Sequence, residues 1–258
     1  MTSIQKITLI GSGNVATQLA GAFMDKGIQI IQVYSLHLNN ARILASKIGC
    51  EASNDLAKLN QDADLYIIAV KDDAISSLNE GNFRMRGKTV VHTSGSAGLD
   101  AINHISDKTG VFYPLQTFSK NRAVDWKKIP VCIEASDPET GDLLHEFAER
   151  VTNSVFYIDS NTRRRLHLAA VFANNFTNYL LSQANEIIGD KLPFSILEPL
   201  VKETLEKALD IGPEAAQTGP AMRGDIHTME AHLKLLENKP EAKELYHIIS
   251  ELIGKKYK

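Results

Sequence analysis

The sequence predicts a doubly wound, mostly parallel α/β sheet followed by an all-helical region, and three observations carry that prediction. Short β-branched apolar runs alternate with helical patterns through the first half, as repeated strand-helix-strand units do. A glycine turn, Gly11-Ser12-Gly13-Asn14-Val15-Ala16, falls between the first strand and the first helix. After Asp159 every pattern is helical and no strand signal returns.

Buried strands are expected at 4–10, 28–34, 65–70, 89–92 and 110–113, each a short apolar run bounded by turn or helix signals. Helical spacing occupies 15–26, 40–48, 73–78 and 99–105 between them. A later pair of strands, 129–133 and 155–158, flanks a helix at 137–151 and extends the sheet. Neither Pro nor Gly interrupts the chain from Thr162 until Gly189, which predicts one helix of about 27 residues and some 40 Å. Helices at 194–211, 226–237 and 240–253 follow, separated by Gly212-Pro213, Thr218-Gly219-Pro220 and Asn238-Lys239-Pro240. The expected division is 1–159 for a ligand-binding sheet domain and 160–258 for a helical domain.

At 43% hydrophobic and 23% charged residues, the 258-residue chain is ordinary globular material. A formal charge of −3 with scattered basic residues provides no field for a phosphate backbone or an anionic lipid surface, so neither nucleic acid nor membrane is an expected partner. The one cluster, Arg163-Arg164-Arg165, reads as a solvated helix start. Cys50 and Cys132 are too few for a disulfide framework and read as reduced, buried thiols. No charged-then-apolar leader precedes the first strand, and no apolar run nears the roughly 20 residues of a membrane span, so a cytoplasmic protein is expected.

The glycine turn has the form G-x-G-x-x-A between a strand and a helix, the pattern of a Rossmann dinucleotide-binding domain. Gly11 makes the tight turn, Gly13 lets a pyrophosphate approach the backbone, and Ala16 lets the helix press on the strand. Ser12, Asn14 and Val15 complete the phosphate-binding set, with unpaired helix-start N–H groups facing the phosphates. Cofactor choice is read at the end of the second strand, where an acid would bind the ribose of NAD. No acid occurs there before Glu51, which favours NADP and leaves NAD possible; Ser35, His37, Asn39 and Arg42 are the available donors to a 2′-phosphate. Strand ends place Val70, Lys71, Thr93, Ser94, Gly95, Pro114 and Gln116 near cofactor or substrate. Thr93 and Ser94 are either donors to those ligands or ordinary turn hydroxyls.

Gly11 to Ala16, Ala69-Val70-Lys71-Asp72-Asp73 and His92-Thr93-Ser94-Gly95-Ser96 resemble the superfamily of pyrroline-5-carboxylate reductase and 6-phosphogluconate dehydrogenase. More narrowly, the segments Tyr113 to Phe118, Leu166 to Asn175 and Thr218 to Asp225 resemble a family of Rossmann-like NADP oxidoreductases whose helical C-terminal domain has no assigned function. The resemblance implies a homodimer built through the C-terminal helices. The superfamily's lysine, four residues before an asparagine, is replaced here by Ala170 and Val171. Related motifs carry histidine where this chain has Tyr113, so the resemblance transfers no proton-transfer role to that residue.

On the long helix His167, Asn174 and Asn178 share a face at uniform helical spacing, with Asn175 beside them. Such a stripe either lines a substrate cleft, with His167 as general acid, Asn174 beside it, and Asn175 and Asn178 on the substrate, or bonds a partner helix across a dimer interface. Arg223 is placed to clamp a substrate carboxylate with Asp225 nearby; the alternative is an Arg223–Asp225 pair holding the loop. His227 and His232 are five apart and cannot share a helix face, so no metal is expected, and His92 reads as structural. Three functions remain: an NADP-dependent reductase of a C=O or C=N bond in a small, carboxylated metabolite; a deazaflavin-dependent reductase of the same fold; and a dinucleotide-binding sensor without turnover.

Overall fold

The computed structural model describes residues 3–78 and 83–257. Eight strands form its sheet: β1 (Lys6–Ile10), β2 (Gln29–Tyr34), β3 (Glu51–Ser53), β4 (Leu65–Ile68), β5 (Thr89–His92), β6 (Lys108–Pro114), β7 (Val131–Ala135) and β8 (Val155–Tyr157). They lie in the order β3-β2-β1-β4-β5-β6-β7-β8. Every pairing is parallel except that of β6 with β7. The order reverses beside β1, and that reversal opens a crevice at the carboxyl ends of β1 and β4.

Helices α1 (Asn14–Met24), α2 (Leu38–Ile48), α3 (Asp72–Ser77) and α4 (Pro138–Glu149) cover the sheet. The two-residue period of a strand feeds two cores at once. Leu65 and Ile67 of β4 pack with Leu19, Phe23, Leu44, Leu144 and Phe147, while Tyr66 and Ile68 pack with Ile75, Ile102 and Ile105. Phe23 meets Phe147 at 5.1 Å and Phe112 at 6.3 Å between ring centroids, tying α1, α4 and β6 together.

The expected elements recur, with differences in detail. The three residues of β3 form a strand because β2 offers them a pairing edge, and their sequence, Glu-Ala-Ser, carries no apolar run to announce it. The helix expected at 99–105 is a single 3-10 turn, Leu99–Ile102, the connection to β6 being short. Cys132 is buried on β7 as expected, but Cys50 is only half-buried; both are free. Of the arginine cluster, Arg164 and Arg165 are exposed as expected, but Arg163 is not. It is fully buried, where it meets Glu134 through one guanidinium nitrogen and Ala97 O (2.5 Å) and Ser160 Oγ (3.2 Å) through another.

The later helices are α5 (Ser160–Ala170), α6 (Thr177–Ile188), α7 (Glu198–Ile211), α8 (Pro220–Arg223), α9 (Ile226–Leu235) and α10 (Pro240–Lys256). Between α5 and α6 the residues Val171–Phe176 are π-helical, where one uniform α-helix is expected. Asp159 caps α5 by accepting Thr162 N at 2.7 Å, which is why the helix begins there. Two compact units divide the chain between Asn175 and Phe176, inside this helical run; the sheet itself ends with β8, close to Asp159. In the second unit the single turn of α8 lies between Gly219 (φ +109°) and Gly224 (φ +68°), conformations that favour glycine, and Ala221 is buried within it. Among the described residues no helix is long and apolar enough to cross a membrane.

Candidate active site

The two glycines of the turn do different things. Gly11 takes φ +127°, and a β-carbon there would stand 2.1 Å from Ala69 O, so the turn can pass over the end of β4 only as glycine. Gly13 has φ −77°, and a β-carbon there would meet nothing within 4 Å. Its bare Cα faces open space, room that the protein's own packing does not use. α1 starts at Gly13 without a side-chain cap, so its first-turn N–H groups are left for an anion. Ser12 and Val15 are half-buried there, and Ala16 is fully buried against the sheet. Asn14 Nδ2 donates to Phe118 O at 2.9 Å, and Gln18 Nε2 donates to Ser119 O at 2.6 Å and Arg122 O at 3.0 Å. The β6–β7 connection is thereby fastened to the glycine-turn helix.

Past β2, Ser35 is half-buried, and His37 and Arg42 are exposed at the start of α2, which His37 opens without a side-chain cap bond. Val70 and Lys71 leave the end of β4, half-buried and exposed respectively.

The loop after β5 is built from its own polar groups. His92 is buried; its Nδ1 accepts Ser94 N (3.2 Å), which leaves Nε2–H to donate to Gly98 O (3.2 Å). Burial, reinforced by the charge of Arg163, pulls the His92 imidazole down to about 4, so it stays neutral near pH 7. Ser94 Oγ accepts Ser96 N (3.1 Å) and Ala97 N (2.9 Å), and Thr93 Oγ1 turns back to Ile68 O (3.5 Å). The Ser94 hydroxyl thus braces the turn, while that of Thr93 faces the end of β4. Ser96 Oγ donates to Asp72 Oδ2, and Arg164 Nε to Ser96 O at 3.0 Å.

Beside this loop lies a cleft of about 420 Å³ whose lining includes Tyr113, Gln116, His167, Ala170, Asn174 and Asn175. Tyr113 Oη and His167 Nδ1 are 3.0 Å apart, and the two rings meet edge to face at 5.9 Å. Burial, with smaller contributions from Cys132 and Asp72, pushes the Tyr113 phenol up to about 12. The cleft thus joins a neutral phenol, an imidazole and three carboxamides within a largely apolar wall.

The first unit therefore brings together His167, Asn174, Asn175 and Gln116. Asn178, Arg223 and Asp225 belong to the second unit. The π-helical turns advance each residue by less than an α-turn does, so a face drawn at uniform spacing does not run unbroken from His167 to Asn178. Asp225 is the N-cap of α9: it accepts Thr228 N (3.1 Å) and Thr228 Oγ1 (2.8 Å), bonds that hold its carboxyl below the usual range. Among the described residues no ion pair joins it to Arg223, which is exposed on α8. Sequence reasoning passed over Tyr113 because relatives carry histidine there; its place at the end of β6, beside Pro114 and Gln116, was the available signal.

An eight-stranded sheet with an uncapped glycine turn at its point of reversal defines the class, a Rossmann-type dinucleotide-binding fold. The chain belongs to a family of NADP oxidoreductases: residues 6–95 match the family described as NADP oxidoreductase, coenzyme F420-dependent, and residues 129–253 match a domain of unknown function, DUF2520. It is 42% identical to a putative NADP oxidoreductase from Bacteroides fragilis of known crystal structure, covering 98% of each chain at a TM-score of 0.91. The fold is also that of a reductive aminase from Aspergillus terreus, crystallised with NADPH and ethyl-5-oxohexanoate, at 16% identity, a TM-score of 0.70 and coverage of 98% of this chain and 93% of that one. Among curated sequences, glutamyl-tRNA reductase of Sulfolobus acidocaldarius is 24% identical over 207 residues, 78% of this chain; the chain spans 48% of that reductase's length.

Proposed function

We propose that this protein is an NADP-dependent reductase of a C=O or C=N bond in a small, carboxylated metabolite, with His167 as the proton donor. The observation that carries the reading is the Tyr113–His167 pair, 3.0 Å apart in a cleft lined by Asn174, Asn175 and Gln116. Gly11 to Val15 would hold the pyrophosphate, fitting the open space at Gly13 and the uncapped start of α1. Ser35, His37 and Arg42 are the donors proposed for the 2′-phosphate. NADPH, when bound, supplies a hydride. The protein's share is the proton: His167 as imidazolium carries it on Nε2, gives it to the substrate oxygen or nitrogen as the π electrons move there, and is left a neutral imidazole. Asn174, Asn175 and Gln116 orient the substrate's polar groups, and the apolar wall keeps water from competing. Arg223, in the second unit, is proposed for the carboxylate from its residue type and its glycine-flanked turn.

The test is to titrate NADPH, NADH and a reduced deazaflavin by fluorescence, then follow NADPH loss across a panel of keto acids and cyclic imines. His167→Ala and Arg223→Ala should each leave NADPH affinity within a few-fold and abolish turnover; unchanged turnover in both sinks the assignment. Preference for the deazaflavin would favour the second reading, which the description of the family matching residues 6–95 supports. Tight NADPH binding without turnover would favour a sensor. We also propose a homodimer through the C-terminal helices; what supports it is the apolar surface there, with Leu209 88% and Leu235 81% exposed. Light scattering at micromolar concentration giving a monomer mass would refute it.

A further inference from the structure

We propose that Tyr113 is the positioning residue of the proton donor: its hydroxyl holds Nδ1 of His167 in both charge states of the imidazole, so that Nε2 is always the proton-bearing nitrogen left for the cleft. This rests on the reading of His167 as the donor, but the geometry is independent of any substrate.

Three contacts seat the imidazole. Tyr113 Oη lies 3.0 Å from Nδ1, the phenol ring stands edge to face against it at 5.9 Å and 74°, and Gly95 lies so close on a third side that a β-carbon there would stand 2.5 Å from Nδ1. Nδ1 is therefore enclosed by protein, and Nε2 is the nitrogen that remains for the cleft lined by His167. A hydroxyl both donates and accepts, whereas a carboxylate only accepts. Among the described residues Tyr113 O–H has no other acceptor, so when His167 is neutral it donates to Nδ1 and the proton of the ring sits on Nε2. When His167 is cationic, Nδ1–H donates to Tyr113 Oη and Nε2 still carries a proton. The ring keeps one partner and one orientation through a proton-transfer cycle. Burial reinforces this by keeping the phenol protonated, with its ionisation pushed up to about 12. Arg163 lends indirect support, since its bond to Ala97 O (2.5 Å) and that of His92 to Gly98 O (3.2 Å) brace the loop carrying Gly95.

The experiment is long-range ¹⁵N–¹H correlation spectroscopy of the full-length protein labelled at histidine, without ligand, at a pH where an ordinary imidazole is neutral. The spectrum of His167→Gln, which lacks one pair of ring nitrogens, assigns the His167 signals. In the wild type, Nδ1 is expected as the bare, pyridine-type nitrogen and Nε2 as the protonated one. In Tyr113→Phe, which keeps the ring and loses only the hydroxyl, both nitrogens should move toward the averaged positions of a freely exchanging imidazole, while the remaining histidine signals stay in place and show the fold intact. A wild-type spectrum with the proton on Nδ1, or one that Tyr113→Phe leaves unchanged, overturns the proposal. Because the measurement needs no turnover, its failure is distinct from a failure to find a reducible substrate.

Discussion

Gly95 lies against the imidazole of His167, so close that a β-carbon on it would stand 2.5 Å from Nδ1 and 2.7 Å from Cγ. The loop leaving β5 and the helix α5 thus meet where no side chain fits on the loop. The loop cannot easily withdraw, because His92, Ser94, Arg163 and Arg164 all bond its backbone. An added methyl group must therefore displace the imidazole from Tyr113.

Gly95→Ala is accordingly expected to lower stability by about 1–3 kcal/mol, the usual cost of overpacking a closed site. Urea unfolding monitored by circular dichroism measures it. A variant as stable as the wild type would mean that the ring moves aside freely and is not held.

The glycine turn allows a paired prediction. Gly11→Ala combines a positive φ with a β-carbon 2.1 Å from Ala69 O, and should destabilise the protein by about 3 kcal/mol or more. Gly13→Ala has ordinary φ and free space, and should change stability by no more than about 1 kcal/mol. It should nevertheless weaken NADPH binding at least tenfold, by occupying the place proposed for the pyrophosphate. Fluorescence titration and urea unfolding of both variants check this; undiminished NADPH affinity in Gly13→Ala would remove the cofactor assignment.

His92 makes stability depend on pH. Its folded-state value of about 4 lies below the ordinary 6.5, so between those limits the unfolded chain takes up a proton that the folded one refuses. The stabilisation is complete above about pH 6.5 and is lost as pH falls toward 4, on the order of 3 kcal/mol in all. Burial lowers His104 as well, in the same direction. Unfolding free energies of the wild type and His92→Gln at pH 7, 5.5 and 4.5 isolate the His92 share: the difference between them should shrink with acid, and a constant difference would contradict it.

The Arg163–Glu134 pair should respond asymmetrically. Glu134→Ala strands a guanidinium whose side chain is 1% exposed, which should cost about 3–5 kcal/mol. Arg163→Met leaves a carboxylate that is 17% exposed and still accepts Ser160 N at 3.0 Å, and should cost less. Equal losses in urea unfolding would show that the charge of Arg163 is not sealed from water.

The parallel sheet, the glycine turn and the helical second half were all readable along the chain, because each depends on neighbours close in sequence: a period of two in β4, a strand-turn-helix order around Gly11 and Gly13, and a succession of helical patterns after Asp159. His167, Asn174, Asn175 and Gln116 could be nominated from residue type and from their places at strand ends or on one helix. Their grouping in one cleft, and the pairing of His167 with Tyr113 across 54 positions, required the folded chain. So did the burial of Arg163, whose partners Glu134 and Ala97 come from separate strand-loop segments. A run of three arginines looks solvated until the fold buries one of them against a carboxylate. The π-helical turns at Val171–Phe176 left no mark in the residue pattern, and they altered the face on which the polar side chains lie. Local periodicity and turn chemistry are written residue by residue. Long-range contacts depend on which surfaces the sheet brings together, and one-dimensional spacing does not encode them.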